Sequence, residues 1–211
     1  MRHQPEPNDA TPFLPDKRTL AALREAAQGC RGCHLWRNAT QTVFGEGLKR
    51  SRVMLVGEQP GDREDRAGQP FVGPAGRELD KGLVAAGIDR KDAYVTNVVK
   101  HFKFEERGRS RIHQTPKRFE IDACKPWLDE ELKQVGPEAL VLLGATAAKA
   151  ILGSSFRVTQ HRGELLEEPE LAPIVTATIH PSAILRGPDD ATRQAEREAF
   201  AEDLSVVARM L

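Results

Sequence analysis

Four short apolar runs govern what this chain can fold into: Arg52–Val56, Ala93–Val99, Ala139–Leu143 and Ile174–Ile179. They are too short for helices; Ala93–Val99 is β-branched, and Ala139–Leu143 is apolar throughout, as in a strand buried on both faces. Between and around them lie segments with helical spacing: Leu20–Gln28, Pro74–Ala86, Pro116–Val135, Ala145–Leu152 and Ala191–Leu211. Pro74–Ala86 opens on proline and stops at Gly87, and Pro126 predicts an irregularity in the longer helix. Strands alternating with helices imply an α/β fold, a three-layer αβα sandwich around a mostly parallel four-stranded sheet. Lys100–Thr115 reads as a long charged loop and Val158–Leu166 as a strand pair or a turn. With 211 residues and no internal repeat, the chain reads as one domain over 18–211 behind a flexible, proline-rich arm over 1–17.

Thirty-one basic residues balance thirty-one acidic ones, so any affinity for nucleic acid has to come from a local patch. No run approaches a membrane span and no apolar leader opens the sequence, which makes a cytoplasmic monomer the expectation. Three cysteines cannot all pair with one another, which argues against a disulfide framework.

In open α/β sheets ligands bind beyond the carboxyl ends of the strands. The first strand ends in Gly57-Glu58-Gln59-Pro60-Gly61-Asp62, which lacks the signatures of phosphate and dinucleotide loops. Asn97 lies near the end of the second strand, His180 ends the last, and Phe71 sits in the rigid loop Gln69-Pro70-Phe71-Val72-Gly73. These types suit a pyrimidine. An amide matches an imide edge, a phenyl ring offers a stacking face, and a histidine donates to a developing oxyanion.

Cys30-Arg31-Gly32-Cys33 and the distant Cys124 form a soft-ligand set, with His34 and His101 as candidate fourth ligands. Such a set suits structural zinc or an iron–sulfur cluster, and spacing does not separate them. Between Lys100 and Arg118 seven basic residues face two acidic ones; the stretch includes Arg107, Arg109 and Arg111 and suits phosphate contacts. His113, near the end of this stretch, could contact phosphate, ligate metal or act as a nucleophile.

Taken together, Cys30-x-x-Cys33, Gly57–Gly61, Gln69–Gly73, Thr96–Lys100 and His180-Pro181-Ser182 resemble the iron–sulfur, family 4 branch of the uracil-DNA glycosylases, from about Cys30 to the C-terminal helix. Three departures from the usual family 4 pattern resemble the UdgX group, which becomes covalently attached to DNA: Gln59 in place of alanine, His101 in place of cysteine, and an inserted basic loop ending Arg-Ile-His-Gln-Thr-Pro. The resemblance implies uracil-containing DNA as partner and a [4Fe–4S] cluster on Cys30, Cys33, His101 and Cys124. Glu58, Gln59, Asp62, His113 and His180 are implied as catalytic, with His113 as the group that attacks the sugar. Phe71, Asn97, Gln59 and His180 are implied to bind uracil, and Lys100, Arg107, Arg109, Arg111 and Arg186 to contact DNA. No obligate protein partner is implied.

Overall fold

The computed structural model describes residues 8–211. The central sheet contains β1 (Val53–Gly57), β2 (Ala93–Asn97), β5 (Ala139–Leu143), β6 (Leu165–Leu166) and β7 (Ile174–Thr178), in the order β2-β1-β5-β7-β6. The first four pair in parallel and β6 is antiparallel to β7. The sheet therefore has five strands where the sequence predicts four. The fifth is two residues long, too short for its pattern to stand out within Val158–Leu166; the one-turn helix α6 (Val158–His161) opens the same stretch.

Successive side chains of a strand point to opposite faces of the sheet. On one face Met54, Val56, Leu140, Leu142 and Val175 pack with residues of α1 (Leu20–Ala27), α4 (Arg118–Val135) and α5 (Ala145–Leu152). On the other, Val53, Leu55, Val95, Val141 and Leu143 pack with α3 (Pro74–Ala86), α7 (Pro181–Leu185) and α8 (Asp190–Ala208). Both faces are thus covered, which explains why Val53–Val56 and Ala139–Leu143 are apolar throughout. Each side chain so buried stabilises the fold by roughly 1.5–3 kcal/mol relative to exposure. Pro126 lies inside α4 without ending it. A further helix, α2 (Asp62–Ala67), forms where no helix is expected; Gly61 precedes it and Gly68 ends it in the left-handed region.

The charged loop over 100–115 is in its second half a hairpin. Strand β3 (Phe104–Arg107) pairs antiparallel with β4 (Ser110–His113), so that Phe104 faces His113 and Arg107 faces Ser110. The two-residue turn is Gly108–Arg109, with Gly108 at φ +61°, as a primed hairpin turn requires. Of the flexible arm expected over 1–17, residues 1–7 lie outside the described region. The remainder is tied down: Ala10 is fully buried and its N–H donates to Ala123 O on α4 at 2.8 Å. No helix among the described residues is long and apolar enough to cross a membrane.

Candidate active site

The carboxyl ends of β1, β2, β5 and β7 open into a cleft of about 860 Å³ lined by Glu58, Phe71, Asn97, His113, Thr146 and His180, among others. Gly57 marks where three of the lining side chains approach most closely. A Cβ there would meet Asn97 Oδ1 at 2.5 Å, Phe71 Cζ at 2.7 Å and His180 Nε2 at 3.4 Å. Three groups from three parts of the chain therefore converge on one point.

Each of them is held by its own surroundings. Asn97 is 3 % exposed, and its Oδ1 has no hydrogen-bond partner. A buried acceptor without a partner is costly, and it marks where a ligand N–H belongs. Phe71 sits at φ +57°, the only non-glycine residue with positive φ among those described. Backbone strain of this kind gathers at ligand sites. Its ring lies 6.0 Å from that of His180, with 29° between the planes. The loop behind it fits only because α3 begins with small residues: a Cβ on Gly76 would lie 1.6 Å from Phe71 O. Glu64 ties the same loop to the β1 turn by accepting from Gly73 N (2.6 Å) and Gly61 N (3.2 Å).

Ser182 N–H donates to His180 Nδ1 at 3.2 Å, and Ser182 Oγ lies 2.8 Å from the same nitrogen. An Nδ1 that accepts leaves the proton on Nε2, the atom facing the Gly57 point. Burial lowers the His180 pKa to about 4, so the ring is neutral near pH 7 and donates through Nε2. Arg186 donates to Ser182 Oγ at 3.0 Å and lies along the cleft.

Glu58 follows β1, and the sheet continues around it: Val98 N–H donates to Gly57 O and Val99 N–H to Glu58 O, each at 3.0 Å. Burial pushes its carboxyl pKa up, but hydrogen bonds from His113 and Thr146 and the nearby His113 and His180 outweigh it. The carboxyl stays below its usual range, ionised at neutral pH. Thr146, at the start of α5, donates to Glu58 Oε2. On the other oxygen, His113 Nε2 lies 3.2 Å from Oε1.

The hairpin delivers His113, and two side chains expected in the chemistry fasten the hairpin instead. Gln59 accepts from Lys103 N at 3.0 Å and donates to Lys103 O and Gln114 O, both at 3.1 Å. With its amide engaged on both sides of the hairpin's base, Gln59 positions the hairpin while it lines the cleft. Arg111 binds Asp62 and Asp65 on α2, Asp65 at 2.7 Å, while its guanidinium covers Phe102 and Phe104. Asp62, held ionised by Arg66 and by Arg111, thereby docks the hairpin.

The expected DNA contacts divide. Arg107 and Arg109 are exposed around the hairpin turn. Arg111 is turned inward. Lys100 is fully buried against Glu131 and reaches no surface, so it cannot contact DNA; its Nζ donates to Thr96 Oγ1 at 2.6 Å and Asn97 O at 2.7 Å. The apolar walls that bury it could not be read from one sequence.

Cys30, Cys33 and Cys124 lie near one another beneath α4. Burial raises the Cys33 thiol, and Cys30 raises it further; burial pushes the Cys124 thiol up to about 12, with Cys33 and Cys30 adding to the effect. Two N–H groups already aim at these sulfurs: Trp127 Nε1 at Cys30 Sγ and Lys100 N at Cys124 Sγ, both at 3.2 Å. Thr42 Oγ1 donates to Ala27 O at 2.8 Å, so it accepts from His101 Nε2–H at 2.9 Å. That fixes the tautomer and leaves His101 Nδ1 with a free lone pair, as a metal-bound imidazole requires. Among the described residues no three His, Cys, Asp or Glu converge tightly enough for a single metal ion. A multi-iron cluster interposes its own atoms, so its ligands stand further apart. The donor set, its N–H donors and its burial fit such a cluster. His34, the other candidate ligand, points instead at Glu120, with Nε2 3.3 Å from Oε1.

The sequence pattern of the Uracil DNA glycosylase superfamily matches residues 44–205. The chain belongs to this superfamily. It is 35% identical over 193 residues to a type-4 uracil-DNA glycosylase of Pyrobaculum aerophilum, covering 89% of this chain and 92% of the relative. A type-4 enzyme of Sulfurisphaera tokodaii is 35% identical over 178 residues, 81% and 78% of the two chains. A type-5 uracil-DNA glycosylase of Pyrobaculum aerophilum is 30% identical over 183 residues, 78% and 76%. Within this superfamily frame, Thr146, Ser182, Glu64 and Asp65 are the site residues that sequence reading passes over. Ser182 belongs to the His-Pro-Ser motif and Thr146 follows a strand end, so both carry a positional signal. Glu64 and Asp65 lie in α2, which reads as solvated charge until the hairpin is placed on it.

Proposed function

We propose that this protein excises uracil from DNA and remains bonded to the abasic sugar through His113. The observation that carries the reading is the placement of His113 Nε2 at 3.2 Å from Glu58 Oε1, in the cleft that Asn97, Phe71 and His180 also line.

A uracil flipped from its strand would stack on Phe71 and give its N3–H to the unpartnered Asn97 Oδ1. The Asn97 amide N–H would meet O4, and His180 Nε2–H would meet O2. As the C1′–N1 bond breaks, its electron pair moves onto uracil. The neutral His180 donor stabilises the resulting oxyanion, and Glu58 stabilises the cationic sugar. His113 then attacks C1′ with the lone pair of Nε2. Where Nε2 carries a proton, Glu58 is placed to take it. The new C1′–N bond leaves an alkylated imidazole, and the proton neutralises the departing uracil. No water is consumed, and each molecule acts once. Cys30, Cys33, His101 and Cys124 would hold a [4Fe–4S] cluster. Bound there, it would supply structural cross-linking between the 30–33 loop, the segment after β2 and α4.

A second reading has support of its own. The identity of about 35% to type-4 enzymes favours a conventional glycosylase in which water attacks and His113 only contacts phosphate. Incubation with a uracil-containing oligonucleotide followed by denaturing electrophoresis separates the two. The trap gives a shifted band that survives denaturation, stoichiometric with protein and absent in His113→Ser. Free abasic product in excess of protein, with no shifted band, would establish the conventional reading.

A further inference from the structure

Beside the hairpin, one aromatic surface takes no part in either core. Trp36, half-buried in the 3₁₀ turn His34–Arg37, belongs to neither apolar cluster, and its ring lies 4.9 Å from the Arg31 guanidinium. Next to it the His34 ring stacks on Phe119 at 5.8 Å and 29°, and Phe119 is 55% exposed at the start of α4. Lys117 precedes that helix and is exposed. Arg118 is also exposed but is paired with Asp122, and its charge is discounted accordingly.

This surface is fastened to the hairpin at two points. Thr40 Oγ1, three residues beyond the turn, accepts from Arg111 at 3.2 Å. The buried Glu120 lies 3.3 Å from His34 and 2.8 Å from Lys103, which enters the hairpin. Flat rings set among cations suit one polymer above others, a single-stranded nucleic acid, whose bases stack on the rings while its phosphates meet the cations. A peptide would leave the rings without matching faces, and a duplex would keep its bases stacked on one another.

We propose that Trp36 and Phe119, with Arg31 and Lys117, form a stacking track for single-stranded DNA flanking the base held in the cleft. The proposal rests on the uracil-DNA reading for its orientation, but its test does not require uracil.

Of the two tryptophans, Trp127 is fully buried, so quenching by an added strand reports Trp36. The cluster-loaded protein would be titrated with uracil-free single strands of about five and about fifteen nucleotides, which span the usual site sizes of such tracks. The longer strand should quench the emission and slow hydrogen exchange over residues 31–38. Read by anisotropy of a labelled strand, since the Trp36 variants lack the emitting ring, Trp36→Ser and Arg31→Ser should each weaken the longer strand by about tenfold, as loss of one stacked base does, while Trp36→Phe restores most of it. Both serine variants should keep the visible absorbance of the cluster and react with a short uracil oligonucleotide at the parent rate. Equal binding of both lengths by parent and variants would overturn the track, as would unprotected exchange over 31–38. Loss of cluster absorbance on changing Trp36 alone would assign the ring to shielding the cluster and overturn it too. Absence of uracil excision with length-dependent quenching intact would remove the excision reading and leave the track standing.

Discussion

Asn97 Oδ1 is a buried acceptor with nothing to accept from, so the free protein carries a desolvation cost that a bound imide removes. Asn97→Ala should leave thermal stability unchanged or slightly raised, since it deletes the unsatisfied atom. Uracil excision should fall by about a hundredfold or more, as loss of an oriented polar group does elsewhere. Parallel melting and single-turnover measurements check this. Glu58→Gln keeps the shape and removes both the charge and the base; excision should fall by about 10²–10⁴. His180 adds a pH signature. Its folded pKa, about 4, lies below the ordinary value near 6.5, so the unfolded chain binds more protons between the two. Stability from this group is complete above about pH 6.5 and is lost as pH falls toward 4, a change of order 3 kcal/mol. Urea unfolding of parent and His180→Gln at pH 7 and pH 5 should show a steeper loss in the parent.

At the scale of elements, the hairpin is the part that distinguishes one chemistry from the other. Gln59 binds both sides of its base, and Arg111 docks it on α2. Gln59→Ala should loosen the hairpin while leaving the base pocket intact. The denaturation-resistant adduct should then fall and free abasic product rise, read on the same gel. The strands that carry the pocket were legible because burial on both faces demands apolar runs, and helix ends were legible at Pro74 and Gly87. The hairpin was not. Its strands are four residues long and mostly exposed, so Glu105, Glu106 and Arg111 erase any alternation that would signal a buried face. Gly108 carried the one turn signal. That Glu58, Phe71, Asn97 and His180 share one cleft was legible because strand ends and motif order place them there. Lys100 was misjudged because its charge is visible in the sequence and its partner, Glu131, thirty-one residues away, is not. Gly76→Ala would place its methyl on Phe71 O; it should lower stability by about 1–3 kcal/mol and blunt uracil affinity, measurable by denaturant titration.

Across the whole molecule, two apolar layers hold the sheet, and the cysteine set joins the segment ahead of β1 to α4. The purified protein should be coloured and contain about four irons per chain if a cluster of the proposed type is bound. Oxidative loss of that iron should lower the melting temperature and loosen α1 and the 30–33 loop in hydrogen exchange, with the β-sheet core protected. A colourless protein holding zinc would overturn the cluster assignment. The superfamily match, beginning at residue 44, leaves Cys30 and Cys33 ahead of it, yet Ala10 and Phe13 pack into the same core as those cysteines. Among the described residues, the segment around Ala10 and Phe13 therefore packs as part of the same core.

Gly57 carries a consequence for how such a protein could change its trade. One methyl at that position would occupy the space in which Asn97, Phe71 and His180 meet, and would touch neither the hairpin nor the cysteine set. Gly57→Ala should therefore close the base site and abolish uracil excision, with a melting curve showing that the fold around it persists.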